Sequence, residues 1–268
     1  MSEFIKEFLR KEEDGFVFNS YGLLHLFLFS FMIFVAILIY KYRKEIRENK
    51  NIYKFTKYIL AFLLAFQQLS FLYFICLIRN DAIGEGLPLY TCRISIYSGF
   101  FALLYNSKNL KILTIFWGLI GGLMGLCYPD LMAYSWPHIM YVNFFLTHFL
   151  VFWVSLFFLL VDEVRLSRDN LKFLFIFVNI FLIITEIVNI KYNLNYAYLS
   201  HSPIFTELLK KLPNFIYFIL VGILYNFSIV LNYFIFKKLK LLKVDWFYFA
   251  NFCKINLISF YFFIKRVI

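Results

Sequence analysis

Residues 139 to 161 read IMYVNFFLTHFLVFWVSLFFLLV, a run with no acidic residue and no Lys or Arg. A hydrocarbon core about 30 Å thick is crossed by roughly 20 apolar residues in helical form, so this run is read as a membrane-spanning helix. Working outward, six more runs qualify: Tyr21 to Tyr40, Tyr58 to Ile78, Leu87 to Tyr105, Leu110 to Cys127, Phe173 to Ile190 and Asn214 to Phe236. Asn106, Ser107, Lys108 and Asn109 leave room only for a tight turn, so the third and fourth form a helical hairpin. The expected fold is all-α: a polytopic membrane bundle of seven transmembrane helices over residues 15–236. Residues 1–14 form an interfacial N-terminal segment and 237–268 a basic, apolar C-terminal extension.

Composition agrees. The apolar share is 62% against roughly 45 to 50% in soluble proteins, and mean hydropathy is +0.75, which excludes a soluble domain and a disordered chain. A net charge of +11 suggests a nucleic-acid partner, but the Lys and Arg residues cluster between apolar runs, as membrane flanks do. Cys76, Cys92, Cys127 and Cys253 show no CxxC spacing, so neither a disulfide framework nor a zinc ribbon is indicated.

Positive flanks set the orientation. One set of alternate connections holds sixteen Lys and Arg, from Lys41 to Lys57, at Lys108 and Lys111, from Arg165 to Lys172 and from Lys237 to Lys243; the other holds eight. The N-terminus is therefore expected outside. Phe4, Ile5, Phe8 and Leu9 share one helical face before the first span, and no small-residue cleavage site follows that span, so an interfacial helix is expected rather than a signal peptide. The run Trp246 to Ile264, broken by Asn251, Lys254 and Asn256, is left between a surface helix and an eighth span.

Polar side chains inside a span are costly and mark packing or function. His25, Gln67, Gln68, Cys92, His148, Glu186 and Asn189 fall within or at the ends of the runs, mostly toward the outer side. Asn179, Glu186 and Asn189 form one stripe at helical spacing; Asn179 reads as interhelical glue, while Glu186 needs a partner, with His148 or His25 at hand. Gly118, Gly121, Gly122 and Gly125 read as a small-residue packing face.

Among the cysteines, Cys92 has the most suggestive setting. Pro88 in Leu87-Pro88-Leu89-Tyr90-Thr91-Cys92-Arg93 suits a first helical position, which places Cys92 one turn into a helix with Arg93 beside it. A positive helix end and a guanidinium both favour thiolate. A nucleophilic thiol needs a base. His148, embedded among Phe144, Phe145, Phe149 and Phe152, is the better candidate, because His138 and His201 lie in loops beside Pro137 and Pro203, where an exposed or capping role is simpler. Both Cys92 and His148 retain a purely structural alternative. Their pairing also requires the third helix to begin deeper than the fifth, and the glycines of Asn80 to Gly86 would let the chain dip inward.

A histidine in helix one, a Gln-containing helix two, Leu-Pro-Leu-x-x-Cys opening helix three, and Pro129 after a Gly-rich helix four begin a recognisable order of features. With His148 in helix five and Asn189 followed by Asn195, Tyr196 and Pro203, that order resembles the YwaF-like bacterial integral membrane proteins over Gly15 to Phe236. That family looks related to animal membrane acyltransferases that move acyl chains between phospholipids and lysophospholipids with a cysteine and a histidine. The resemblance implies Cys92 as acyl-accepting nucleophile and His148 as base in a phospholipid acyltransferase or lipid ester hydrolase of the bacterial plasma membrane. Its partners would be membrane lipids, with no nucleic acid and no cofactor or metal. Gln67, Gln68 and Asn195 are candidate oxyanion donors, and His25 and Glu186 candidate orienting groups, with Arg93, Asn189 and Tyr196 supporting. Where that family's motif carries a histidine this chain has Tyr90, so that imidazole is missing here, and the chain continues past Phe236. The alternatives are a small-solute transporter with a three-one-three parallel repeat, a metal site of His25, Cys92, His148 and Glu186, and a non-catalytic structural membrane protein.

Overall fold

The structure is a computed structural model describing residues 2–165, 167–202 and 206–241; Pro203, Cys253 and the run from Trp246 to Ile264 lie outside the described residues. Among these residues every regular element is helical. The helices are α1 (Glu3–Phe8), α2 (Leu23–Glu48), α3 (Lys50–Leu72), α4 (Thr91–Tyr105), α5 (Lys108–Cys127), α6 (Ile139–Leu156), α7 (Arg168–Tyr192), α8 (Thr206–Leu209) and α9 (Asn214–Leu241). Single π-helical stretches, Tyr73–Ile78 and Phe157–Val161, prolong α3 and α6. Six helices, α2, α3, α5, α6, α7 and α9, are long and apolar enough to cross a membrane. The expected third span is a 15-residue helix, α4, about 22 Å long and so short of a full crossing.

Two expectations about helix limits change. The basic stretch between the first two runs is helical, because its Lys, Arg and Glu residues are good helix formers. Asn49 alone separates α2 from α3, its side-chain oxygen accepting from the N–H groups of Asn51 and Ile52 at 3.0 and 3.2 Å, an N-cap. Conversely, α4 starts at Thr91 rather than Leu87. Before it the chain doubles back so tightly that a Cβ on Gly84 would sit 2.1 Å from Asp81 Oδ1, and one on Gly86 2.6 Å from the Ala82 carbonyl. Arg93 then holds this turn: its guanidinium donates to the carbonyls of Glu85 and Leu87 and pairs with the Glu85 carboxylate at 3.2 Å.

The core is built on α5 and α6. The glycine series lies where α6 presses closest: a Cβ on Gly118 would meet Ser155 Oγ at 2.3 Å, one on Gly122 the His148 carbonyl at 2.8 Å, and one on Gly125 the His148 ring at 2.0 Å, whereas Gly121 has nothing within 4 Å. Close backbone approach through small residues is how helices associate where no hydrophobic drive exists. Around this pair, Leu60, Leu64, Ile96, Leu103, Leu150 and Val154 bring in α3 and α4, and Trp117, Val178, Phe181 and Ile229 bring in α7 and α9. Asp162 pairs with buried Lys111 and accepts from the Tyr53 hydroxyl at 2.9 Å, closing the end that carries the basic connections. The opposite end is called the α1 end below.

There the N-terminal segment is strapped across the loop before α6. Asp14 and Phe16 donate from their N–H groups to the Ala133 carbonyl at 3.1 and 3.3 Å, Arg10 donates to the carbonyls of Ser135 and Pro137 at 2.8 and 3.0 Å, and the Tyr134 hydroxyl donates to the Lys11 carbonyl at 2.8 Å. Phe8 and Leu9 pack on the Phe71, Phe74 and Tyr134 cluster, while Phe4 and Ile5 stay exposed. His138 caps α6 as a buried group, stacked on Tyr134, accepting from the Met140 N–H at 3.1 Å and donating to the Arg10 carbonyl at 3.0 Å.

Burial moves the His138 value from 6.5 down to about 4, and protonation would also remove the acceptor that caps Met140. Because the docked form resists the proton, its stability is complete above pH 6.5 and falls as pH drops toward about 4. Asp14 does not confound this window: its hydrogen bonds from Ser135 hold its carboxyl well below the usual carboxylate range. A spin label at Glu12 should be immobile at pH 7.5 and mobile at pH 4.5, with the step removed in His138→Asn. Equal mobility at both pH values would show that His138 does not control the strap.

Candidate active site

Cys92 is the second residue of α4, not one turn in, so it sits among the N–H groups that a helix start leaves without intrahelical partners. The backbone N–H groups of Cys92 and Arg93 lie within reach of its sulfur, and Glu85, Tyr198 and Tyr225 are close enough to act on it electrostatically. The Arg93 charge is committed elsewhere. It pairs with Glu85 and stacks over the rings of Phe71 and Tyr90 at 4.1 and 5.0 Å; what reaches the sulfur acts with the helix start toward thiolate, and burial of the sulfur opposes and outweighs both.

His148, on α6, has its ring over Gly125 and its Nδ1 2.7 Å from the Phe144 carbonyl. A carbonyl only accepts, so Nδ1 carries the proton and Nε2 presents a lone pair, the form a general base needs. The orienting group is thus a backbone carbonyl. His25 is engaged elsewhere, its Nδ1 accepting from the Tyr21 N–H at 2.8 Å and its Nε2 donating to the Leu126 carbonyl at 2.7 Å.

Helical register puts the two side chains at one depth. Ser98 and Ser155 both bond to Thr114 of α5, each at 2.8 Å, and a Cβ on Gly99 would lie 3.4 Å from Val154. Hence α4 and α6 run side by side in the same direction. Cys92 lies seven residues before Gly99 and His148 six before Val154, so at 1.5 Å per residue their depths differ by about 1.5 Å. Because α4 begins late, it begins deeper than α6, but no hydrogen bond joins Cys92 to His148. The contacts around Cys92 come from the preceding loop, the Tyr196 to Tyr198 turn and α9; those around the His148 ring come from α5 and α6.

The other predicted residues divide into two groups. Asn189, Asn195 and Tyr196 shape the loop that pins the start of α4: Asn189 bonds both the N–H and the carbonyl of Tyr196 at 2.8 and 3.0 Å. The Tyr196 hydroxyl donates to the Ile83 carbonyl at 2.8 Å and accepts from the Leu87 N–H at 3.2 Å. Asn195 accepts from the N–H groups of Ser200 and His201, both at 3.0 Å. Gln67 and Gln68 instead belong to a buried polar network between α3, α4 and α6. Gln67 Nε2 donates to Thr147 Oγ1 at 2.6 Å, and Ser70 Oγ lies 3.1 Å from Asn143 Oδ1; Gln68 reaches Tyr97. Sequence reading missed Asn143 and Thr147 because a lone Asn or Thr in an apolar run gives no sign of the helix it will face.

Glu186 bonds Asn189 and leaves one buried oxygen without a partner. Asn179 and Asn226 exchange two hydrogen bonds at 2.9 and 3.1 Å, the glue expected, within an apolar groove of about 610 Å³ between α7 and α9 that Phe175, Phe218, Gly222 and Phe227 help to line. Among the described residues no three His, Cys, Asp or Glu side chains gather in metal-binding range, so His25, Cys92, His148 and Glu186 do not form the metal site weighed above.

Gly125→Ala should force the His148 ring off its seat and lower stability by about 1 to 3 kcal/mol through overpacking. Gly121→Ala should be neutral, or stabilising by up to about 1 kcal/mol from helix propensity. Thermal unfolding of the two variants in detergent checks the contrast; equal shifts would show that Gly125 is not the seat of the ring.

No curated protein matches the chain, and neither does any solved structure. A family-level match spans residues 20–236, from just before α2 into the last turns of α9, and so includes every side chain described from His25 to Tyr225. Several apolar helices of membrane-crossing length, bound together through a glycine face and carrying an embedded cysteine and histidine at one depth, accompany that match: the chain is a multi-pass membrane protein and belongs to the TMEM164 family.

Proposed function

We propose that this protein is a phospholipid acyltransferase or lipid ester hydrolase of the bacterial plasma membrane, with its α1 end outside, Cys92 as nucleophile and His148 as base. The observation that carries the reading is the common depth of Cys92 and a histidine whose Nδ1 is tied to the Phe144 carbonyl, leaving Nε2 to take a proton. A lipid substrate enters sideways from the bilayer, and the apolar groove between α7 and α9 is of a size to take an acyl chain. The Cys92 sulfur attacks the ester carbonyl while its proton passes to His148 Nε2. The ester C–O bond then breaks, the lyso product leaves with that proton, and a thioester remains on Cys92. A second hydroxyl, from a lysophospholipid or water, attacks the thioester, gives its proton to His148 and releases the thiol. Dividing one hard acyl transfer into two easier steps is the gain of covalent catalysis. The N–H groups of the first turn of α4, which have no intrahelical partner, are suited to hold the developing oxyanion, which is where such donors contribute most.

Intact-mass measurement after incubation of the purified protein with phospholipid tests this. An acyl-sized mass increase should map to Cys92, disappear in Cys92→Ser, and form at least about 100-fold more slowly in His148→Ala, the usual scale of general-base catalysis. Unchanged acyl transfer by Cys92→Ser would overturn the assignment.

A further inference from the structure

The polar network between α3 and α6 is incomplete in a definite way. Thr147 Oγ1 donates to the Asn143 carbonyl at 2.7 Å, so it accepts from Gln67 Nε2 at 2.6 Å. The same amide nitrogen lies 3.4 Å from Asn143 Oδ1. With the amides turned this way, Gln67 Oε1 and Asn143 Nδ2 are buried without partners, and Gln68 Nε2 is a third unpaired atom one residue along. Gln67, Gln68 and Asn143 are 2%, 6% and 3% exposed. Burial shuts them off from bulk water, and an unpaired polar group in such surroundings is costly.

One acceptor beside donors is the complement of a hydroxyl group, which donates once and accepts twice. Thr147 lies level with Cys92 by the register above and directly precedes His148 on α6, their side chains about 100° apart around the helix. We infer that Gln67 and Asn143 bind the hydroxyl of the acyl acceptor, either the free glycerol hydroxyl of a lysophospholipid or water, and present it for the second step. This rests on the acyl-transfer reading. In that step the bound oxygen attacks the Cys92 thioester carbonyl, its proton goes to His148 Nε2, the C–S bond breaks, and the leaving sulfur takes the proton back, so a new ester or a free acid forms and Cys92 returns to a thiol. Gln67 and Asn143 are assigned to the acceptor alone; the first acylation proceeds without them.

The experiment follows the Cys92 adduct by intact mass in wild type, Gln67→Met and Asn143→Leu, loading it with phospholipid and discharging it with lysophospholipid or in water alone. Adduct formation should stay within twofold of wild type while discharge slows tenfold or more. Slowing confined to the lysophospholipid arm identifies a lipid hydroxyl as the occupant, and slowing confined to the water arm identifies hydrolytic water. Discharge unchanged in both arms, or formation falling in step with discharge, overturns the inference and marks the network as packing. A wild-type protein that never acquires an adduct overturns the acyl-transfer reading and this inference with it.

Discussion

The close approach of α5 and α6 is the constraint on which the remaining geometry depends. Gly118, Gly122 and Gly125 give up their side chains so that the backbone and ring atoms of α6 can occupy that space. In lipid, apolar area exposed to acyl chains gains little by moving against another helix, so dispersion at short range and a few hydrogen bonds supply the attraction. The two helices thereby become one rigid ruler. Thr114 on that ruler sets the height of Ser98 on α4 and of Ser155 on α6, and through them the heights of Cys92 and His148. A residue of ordinary size at Gly125 would break the ruler and displace the histidine together.

Most of the architecture was legible because bilayer thickness converts directly into run length. The six long helices follow the apolar runs, and the glycine face, the capping role of His138 and the bonded role of Asn179 follow from residue type and spacing. Where helices stop was less legible. The start of α4 is decided by Arg93 reaching back to Glu85 and Leu87, a contact that the favourable Pro88 position does not foretell. The basic stretch around Asn49 lies outside the apolar runs, so run length does not show that it is helical, whereas Lys, Arg and Glu extend a helix beyond the apolar layer without penalty.

The candidate site was legible as residues but not as a geometry. Cys92 and His148 stand out because thiols at helix starts and imidazoles among phenylalanines are unusual settings. His25 stood out for the same reason and proves to be a fastening, both of its nitrogens tying the start of α2 to its neighbours. Lys111 entered the sequence reading only as one charge of a count, yet it is buried against Asp162. Pairings of this kind join residues about fifty or more positions apart, and a single sequence holds no record of which distant residues meet.

The Asn179 and Asn226 pair fastens α9 by a different principle from the one that joins α5 to α6. Shape complementarity between α5 and α6 is indifferent to what surrounds them, but two amides bonded to each other are held only while nothing else offers a hydrogen bond. Such pairs contribute about 0.6 kcal/mol on average within a bilayer, and every water molecule that enters the groove is a rival for the same lone pairs. The attachment of α9 is therefore a measure of dryness: hydrocarbon keeps the latch shut, and wetting loosens it while the glycine-packed centre holds its form.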